Sequence, residues 1–326
     1  MIDITKDAQF ELCKYAYKKC DGIRSYFPYP VINNDSIDSA VALINKAKKP
    51  FIVWGQGVIL GKAEEEFKDF VEKSGIPAAW TILGLSALPT SHELNVGMVG
   101  MHGNYGPNIL TNKCDLLIAI GMRFDDRVTG DPSTYASQAK IIHLEIDPAE
   151  VDKNIKVDVP VIGNCKESLQ MITNKIDKRS HKKWISKFDD LMKIEFDKVI
   201  KSDLSPNKKG LTMGESIIAI NEFTNGDAII VTDVGQHQMV ACRYANFIKS
   251  KSNITSGGLG TMGFALPAAM GAKMGAMERE VVAVIGDGGY QMTIQELGTI
   301  FQLQIPVKIV ILLSLIHISE PTRPPE

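Results

Sequence analysis

Residues 50–61 read Pro-Phe-Ile-Val-Trp-Gly-Gln-Gly-Val-Ile-Leu-Gly, an apolar run that passes directly into closely spaced glycines. An apolar run bounded by glycine predicts a buried strand at Pro50–Trp54. A helix follows it, because Phe67, Phe70 and Val71 recur at helical spacing. A strand that leads into a helix through a glycine turn is the repeating unit of a parallel α/β sheet.

The same alternation continues on both sides of a charged segment. Further strands are predicted at Ile76–Thr81, Asp115–Ile120, Lys140–Ile146, Ala228–Thr232, Glu280–Ile285 and Pro306–Leu313. Further helices are predicted at Met213–Phe223, Gln236–Asn246, Phe264–Met277 and Ile294–Leu303. The charged segment between the two units is predicted to be helical, with a sparse apolar face of Trp184, Phe188, Leu191 and Ile194. Short apolar strands between helices predict an α/β fold of two consecutive doubly wound parallel-sheet domains.

Composition and charge disfavour several classes of protein. The 326 residues include 36 Lys and Arg against 38 Asp and Glu, a formal net charge of −2, and 44% are hydrophobic. These values are typical of globular proteins rather than disordered ones. Near-neutral charge disfavours nucleic-acid binding, and no apolar run reaches the ~18 residues of a membrane span. Five cysteines without C-x-x-C spacing disfavour a disulfide framework or zinc ribbon and favour a reducing cytosol.

Three glycine-bearing motifs follow predicted strands, at the edge where α/β proteins bind ligands. Gly55–Gly61 fits either a nucleotide-binding turn or a plain strand-to-helix turn, and its spacing is not that of dehydrogenases. Gly121–Gly130 carries two arginines and two aspartates, which either pair with one another or bind a pyrophosphate and ribose. Gly286–Gly289 reads Gly-Asp-Gly-Gly, which in isolation favours a turn but also suits Mg²⁺ on a diphosphate.

Together these motifs resemble those of the catalytic large subunit of acetolactate synthase (acetohydroxyacid synthase), a thiamine-diphosphate enzyme family. The resemblance runs from about residue 1 to 313. The motifs that carry it are Gly100–Gly103, Gly121–Gly130, Val234–Gln238, Ser256–Pro267 and Gly286–Thr299. The arginine-aspartate motif is specific to this family, whereas the Gly-Asp-Gly motif is common to thiamine-diphosphate enzymes.

The resemblance implies a division of the chain into parts of a three-domain enzyme. Residues 1–30 would be the last strand of a pyrimidine-binding domain and its linker, and residues 36–175 a central FAD-binding domain. Residues 176–210 would be a helical linker, and residues 211–313 a truncated thiamine-diphosphate-binding domain. Residues 314–326 resemble non-native sequence, such as translated adaptor read-through.

The resemblance also implies two cofactor sites and a metal ligand. The residues implied to face FAD are Gly55, Gln56, Gly57, Thr81, Ile82, Leu83, Met101, His102, Gly121, Arg123, Asp125, Arg127, Glu145 and Ile146. The residues implied to line thiamine diphosphate are Val234, Gly235, Gln236, His237, Gly260, Met262, Gly286, Gly288 and Gly289. Asp287 is the implied Mg²⁺ ligand. No catalytic residue is assigned, because the family's activating glutamate belongs to the pyrimidine-binding domain.

The implied activity is a transferase reaction that decarboxylates pyruvate and joins the remainder to pyruvate or 2-oxobutyrate. It serves isoleucine and valine biosynthesis. The implied partners are further catalytic subunits, in a dimer or tetramer, and a small regulatory subunit. We expect a cytoplasmic, bacterial protein that binds neither nucleic acid nor membrane. The 326-residue chain alone is expected to be inactive, because the activating glutamate is absent and Ser314 stands where the family has a metal-binding asparagine.

Three alternative functions stay open at the level of sequence. One is another thiamine-diphosphate enzyme, such as a pyruvate oxidase or a glyoxylate carboligase, although the Arg123–Arg127 motif favours the synthase. A second is a non-catalytic FAD-binding module. A third, a dinucleotide-dependent dehydrogenase, is weak because the Gly55–Gly61 spacing does not fit.

Overall fold

Two parallel β-sheets organise the chain in its computed structural model, which describes residues 3–23, 27–205 and 210–313. The first sheet contains Pro50–Trp54 (β1), Ala78–Trp80 (β2), Asn95–Met98 (β3), Leu116–Ile120 (β4), Lys140–Glu145 (β5) and Val159–Ile162 (β6). The second contains Ile229–Thr232 (β7), Asn253–Thr255 (β8), Val281–Ile285 (β9) and Lys308–Ile311 (β10). Their spatial orders are β3-β2-β1-β4-β5-β6 and β10-β9-β7-β8.

All neighbouring strands are parallel, and each sheet reverses its winding direction once. The reversal lies between β1 and β4 in the first sheet and between β7 and β9 in the second. The predicted pair of doubly wound parallel sheets is therefore confirmed. Ligands of such sheets bind at the carboxyl ends of the strands beside the reversal, so two candidate sites follow from topology alone.

Helices cover the sheets and connect their strands. In chain order they are Lys6–Phe10 (α1), Asn34–Lys46 (α2), Gly57–Leu60 (α3), Glu64–Ser74 (α4), Tyr105–Thr111 (α5), Asp126–Thr129 (α6), Cys165–Lys175 (α7), Lys182–Glu195 (α8), Lys201–Leu204 (α9), Met213–Thr224 (α10), Gln236–Tyr244 (α11), Ala265–Gly275 (α12), Asp287–Met292 (α13) and Glu296–Gln302 (α14). A π-helical turn at Phe196–Ile200 joins α8 to α9. Among the described residues, no helix is long and apolar enough to cross a membrane.

Local sequence explains where several helices begin and which face they bury. The Asn33 side chain accepts a hydrogen bond from the Asp35 N–H at 2.8 Å and so caps α2. Thr212 and Glu215 form a capping box at the start of α10. In α4 the predicted stripe of Phe67, Phe70 and Val71 is buried, as its helical spacing requires.

One apolar cluster joins the two sheets into a common core. Trp54 and Phe67 from the first unit belong to the same buried cluster as Ile230 and Phe247 from the second. Main-chain contacts reinforce it: the Thr90 N–H donates to the Phe247 carbonyl at 3.1 Å. In return, the Phe247 N–H donates to the Thr90 hydroxyl at 3.0 Å. The two sheets therefore meet over a packed, hydrogen-bonded interface.

The structure corrects several local predictions. Strands β3, β6 and β8 were not predicted. Neither β3 (Asn-Val-Gly-Met) nor β8 (Asn-Ile-Thr) is a continuous apolar run, and β6 contains Pro160. The Gly286–Gly289 segment opens helix α13 instead of forming a plain turn. Ile194, predicted on the apolar face of the linker helix, is 42% exposed, whereas Trp184 and Phe188 on the same helix are buried.

The predictions for the two ends of the chain have different outcomes. Where the resemblance implied a strand, residues 6–10 form the exposed helix α1, and residues 3–23 contain no strand. The predicted non-native tail at 314–326, including Ser314, lies outside the described residues.

Candidate cofactor-binding site

A cavity of about 1390 Å³ opens at the carboxyl end of the first sheet. Its lining includes all fourteen residues that the sequence predicted to face a flavin: Gly55, Gln56, Gly57, Thr81, Ile82, Leu83, Met101, His102, Gly121, Arg123, Asp125, Arg127, Glu145 and Ile146. These residues lie in five separate segments of the chain, so only the fold brings them together. A cavity of this size exceeds the usual range for a drug-sized ligand and can hold a dinucleotide.

Glycines allow two loops at the strand reversal to touch. The Gly57 N–H donates to the Gly121 carbonyl at 2.9 Å. A Cβ on Gly57 would lie 2.5 Å from the Gly121 Cα, which is closer than any side chain permits. Gly121 itself has a φ of +55°, a backbone conformation that glycine adopts without strain. The glycines after β1 thus serve the packing of a turn and also form one wall of the cavity.

The arginine-aspartate motif after β4 presents its charges to the same cavity. The Asp125 side chain caps α6 by accepting from the Arg127 N–H at 3.1 Å. The Arg123 guanidinium is 57% exposed and lies 3.8 Å from the Asp125 carboxylate, a long and solvated ion pair. Within the described residues Arg127 forms no ion pair, and its guanidinium lies 3.7 Å from the Met101 sulfur. Mutual pairing therefore leaves most of the positive charge available to an anion.

Two buried side chains support the floor of this cavity. The His143 Nε2 lies 2.9 Å from the Met122 carbonyl, so the imidazole holds the loop that carries Arg123. Burial lowers the pKa of His143, so its ring is neutral at neutral pH. Because the Met122 carbonyl can only accept a hydrogen bond, the single ring proton must be on Nε2. Glu145 accepts from the Ile146 and Asp147 N–H groups, and burial raises the pKa of its carboxyl group.

A second cluster lies at the reversal point of the other sheet. His237 is buried, and its ring carbon Cε1 lies 3.0 Å from the positions where a Cβ on Gly235 or Gly286 would stand. The loops after β7 and β9 therefore approach each other across the imidazole. Burial lowers the pKa of His237 against the opposing influence of Asp233 and Asp287.

The thiamine residues predicted from sequence divide between the two clusters. Val234 and Gly260 line the large cavity. Gly235, Gln236, His237, Met262, Gly286, Asp287, Gly288 and Gly289 do not line it and follow or flank β7, β9 and α12. The loop after β2 touches both β8 and the loop that follows it: the Asn253 amide donates to the Ile82 carbonyl at 3.2 Å, and a Cβ on Gly257 would lie 2.8 Å from the Leu83 side chain. The two clusters are therefore contiguous.

Asp287 is the metal ligand that the sequence predicted for this cluster. It is buried, and it begins α13 directly after β9. The described residues contain no group of three or more His, Cys, Asp or Glu side chains that could hold an ion by themselves. Mg²⁺ commonly takes one or two carboxylates together with phosphate oxygens and water, so this donor set fits Mg²⁺ on a diphosphate.

Two known protein families match this chain. Residues 37–172 match the family model described as thiamine pyrophosphate enzyme, central domain, and residues 233–313 match the C-terminal TPP binding domain. The chain belongs to the thiamine pyrophosphate enzymes. The two matches together cover more than half of it, and the second begins at Asp233, at the end of β7.

Individual relatives of this thiamine pyrophosphate enzyme are acetolactate synthases. It is 41% identical over 318 residues to an acetolactate synthase large subunit of Corynebacterium glutamicum, which covers 96% of the chain and 50% of the relative. It is 40% identical over 326 residues to a probable acetolactate synthase large subunit of Methanococcus aeolicus, with 95% and 54% covered. A Lactococcus lactis large subunit is 39% identical over 281 residues, with 86% and 48% covered. The chain spans about half the length of the curated relatives it matches.

Sequence reasoning missed several residues of the site in this thiamine pyrophosphate enzyme. Gly163, Asn164 and Cys165 line the large cavity at the end of β6. Their signal, a short apolar run before glycine, was obscured by Pro160 within the strand. Asp233 was also missed, although it stands directly after the apolar β7 strand, where a carboxylate signals a site at the strand end.

Proposed function

We propose that the chain is the cofactor-binding part of an acetolactate synthase catalytic subunit. The observation that carries the proposal is the continuity of the large cavity. It is lined by the arginine motif of the first sheet and by Val234 and Gly260 of the second. Identity of 39 to 41% to acetolactate synthase large subunits over most of the chain supports the same assignment.

Thiamine diphosphate is proposed to bind at the reversal point of the second sheet. Its diphosphate would lie against the N–H groups of Gly288 and Gly289, with Mg²⁺ held by the Asp287 carboxylate. Val234–His237 and Met262 would contact the rings. When bound, the cofactor supplies the carbon nucleophile that attacks a 2-oxo acid and permits loss of CO₂. The chain's own residues position it and exclude water.

FAD is proposed to bind in the large cavity, with Arg123 and Arg127 on its pyrophosphate and Gly55–Gly57 beneath the same group. We expect Arg127→Gln to weaken FAD binding by about tenfold, the effect of losing a charge-assisted hydrogen bond. The measurement is flavin fluorescence during titration of the purified protein. The affinity should also fall with added salt in the parent protein and less steeply in the variant. Unchanged FAD affinity in Arg127→Gln would contradict this placement.

The proposed reaction joins two 2-oxo acids. Pyruvate loses CO₂, and the two-carbon remainder adds to the carbonyl of a second pyruvate or of 2-oxobutyrate. The products, acetolactate and acetohydroxybutyrate, are precursors of valine and isoleucine. By analogy with relatives named large subunits, we propose assembly with further catalytic subunits and a small regulatory subunit. A reducing cytoplasm is the proposed compartment, because all five cysteines are free thiols.

The product distinguishes this function from its alternatives. The complete protein that carries these residues, supplied with pyruvate, thiamine diphosphate, Mg²⁺ and FAD, should release CO₂ and acetolactate. Hydrogen peroxide with acetyl phosphate or acetate would instead indicate a pyruvate oxidase. Tartronate semialdehyde from glyoxylate would indicate a carboligase of that substrate. Bound flavin with no affinity for thiamine diphosphate would indicate a non-catalytic FAD-binding module.

A further inference from the structure

A fully buried carboxylate stands at the centre of the second cluster. Asp233 follows β7 directly, and its exposed fraction is 0%. Its Oδ1 accepts hydrogen bonds from the Val234 N–H at 2.8 Å and from the Gly263 N–H at 3.0 Å. Its Oδ2 accepts from the Ala265 N–H at 2.9 Å. Three main-chain donors therefore replace the water that a buried carboxylate loses.

The same carboxylate also touches the segment after β9. A Cβ on Gly289 would lie 2.5 Å from the Asp233 Oδ1, so the first turn of α13 passes directly against it. This contact gives a physical reason for glycine at position 289, independent of any bound diphosphate. Asp287, the proposed metal ligand, lies two residues earlier in the same turn.

These contacts connect three segments that are distant in sequence. Val234 begins the loop after β7, Gly263 ends the loop that contains Gly260 and Met262, and Gly289 belongs to the turn of Asp287. All three segments carry residues of the proposed thiamine site. The Asp233 carboxylate therefore contacts all three segments and determines the spacing between them.

We propose that Asp233 is the positioning residue of the thiamine diphosphate site. One carboxylate holds the loop after β7, the loop before α12 and the first turn of α13 at the separation that the cofactor needs. The inference rests on the proposed function, since it assigns a role within that same site. It adds a residue that would act through its neighbours without touching the reacting atoms.

The test is Asp233→Asn in the complete protein. Asn has the same shape, but its NH₂ group would face an N–H donor on one side, which removes at least one of the three hydrogen bonds. We expect the dissociation constant for thiamine diphosphate, measured by calorimetry with Mg²⁺, to rise by about tenfold or more. FAD affinity should change by less than about twofold, because the first sheet lacks any contact with this carboxylate among the described residues.

Asp227→Asn provides the matched control. Asp227 lies just before the amino end of β7, whereas Asp233 follows its carboxyl end. The Asp227 carboxylate pairs with Lys249 at 2.8 Å at the surface. The control loses a carboxylate from the same domain without disturbing the site, so both cofactor affinities should stay within about twofold of the parent. A merely structural role for Asp233 would lower the thermal midpoint without separating the two affinities.

The outcomes separate the inference from the proposed function. Equal thiamine diphosphate affinity in Asp233→Asn and the parent would overturn the positioning role while leaving the function intact. An equal loss of thiamine and FAD affinity would also overturn it. A parent protein that binds no thiamine diphosphate would overturn the proposed function, and the inference with it.

A second measurement applies even where the variant does not fold. In the parent protein without thiamine diphosphate, the amide protons of Val234, Gly263 and Ala265 should exchange with solvent with similar protection, since one carboxylate holds all three. Binding of thiamine diphosphate with Mg²⁺ should slow all three together. Exchange of one amide at least about tenfold faster than the other two, before and after binding, would contradict the proposal.

Discussion

At the scale of single residues, Gly57 and Gly121 bring two loops closer together than side chains allow. The Gly57 N–H donates to the Gly121 carbonyl at 2.9 Å, beside the cavity. A methyl group on Gly57 would have to displace main chain, which cannot move as a side chain does. The pair therefore determines how β1 and β4 end.

We predict that Gly57→Ala lowers the free energy of unfolding by about 2 kcal/mol, the usual cost of overpacking. Urea denaturation measures it. The control is Gly271→Ala in α12, where no described atom beyond the adjacent residues and the helix's own backbone lies within 4 Å of the added Cβ. That variant should be as stable as the parent or up to about 1 kcal/mol more stable, because alanine favours helix. Equal stability of the two variants would contradict the close approach.

His143 makes a second prediction at this scale, about pH. Burial lowers its pKa from the ordinary value of 6.5, so below that value the unfolded chain binds a proton that the folded protein does not. Its stabilising contribution is complete above pH 6.5 and is lost as pH falls towards the lowered pKa. The loss approaches about 1.4 kcal/mol for each pH unit.

The measurement is the free energy of unfolding of the parent and of His143→Gln between about pH 7.5 and 5.5. Glutamine keeps an N–H donor for the Met122 carbonyl. The variant should lose less stability on acidification, although His181 and His237, whose pKa values are also lowered by burial, remain. The raised pKa of Glu145, whose carboxylate lies 3.7 Å from the His143 Nε2, acts in the opposite direction, so the profiles are compared above about pH 5.5, where the histidines dominate the change. Parallel pH profiles would contradict a buried neutral His143.

At the scale of elements, helix α8 fastens both units through its last residue. Glu195 is 4% exposed and pairs with Arg243 of α11. Its carboxylate also accepts from the Tyr105 N–H at 3.1 Å at the start of α5. The segment that the sequence predicted as a linker therefore contacts α5 of the first unit and α11 of the second.

We predict that Glu195→Gln lowers the free energy of unfolding by about 3 kcal/mol, because it leaves the largely buried Arg243 guanidinium without its partner charge. Asp190→Asn on the same helix is the control. Its pair with Lys187 is 3.5 Å long and solvent-exposed, so its loss should cost less than about 1 kcal/mol. Chemical denaturation of both variants tests the difference. Similar small losses would show that α8 acts as a simple tether.

Sequence patterns predicted the long, continuously apolar elements better than the short ones. Strands β1, β4 and β9 are buried along their full length, so hydrophobic runs located them to within about one residue. Strand β8 reads Asn-Ile-Thr and β6 includes a proline, so neither carried such a signal. The resemblance supplied the motifs of the proposed site. The role of Asp233 and the place of Asn164 depend on contacts between segments that are distant in sequence.

At the scale of the whole molecule, the two strand reversals face a shared cavity. Leu83, predicted to face FAD, packs against Gly257 of the loop that leads to Gly260, where an added Cβ would lie 2.8 Å from the Leu83 side chain. The apolar cluster that includes Trp54 and Phe247 packs the two units against each other and so stabilises this arrangement. The proposed flavin and thiamine sites therefore belong to one binding region.

One chain is proposed to bring a flavin site and a thiamine site together. The most direct measurement is mass spectrometry of the small molecules released by denaturing the complete protein after purification with Mg²⁺, FAD and thiamine diphosphate. We expect both FAD and thiamine diphosphate, in equal amounts and close to one of each per chain. Release of a nicotinamide dinucleotide, or of FAD without thiamine diphosphate, would contradict it.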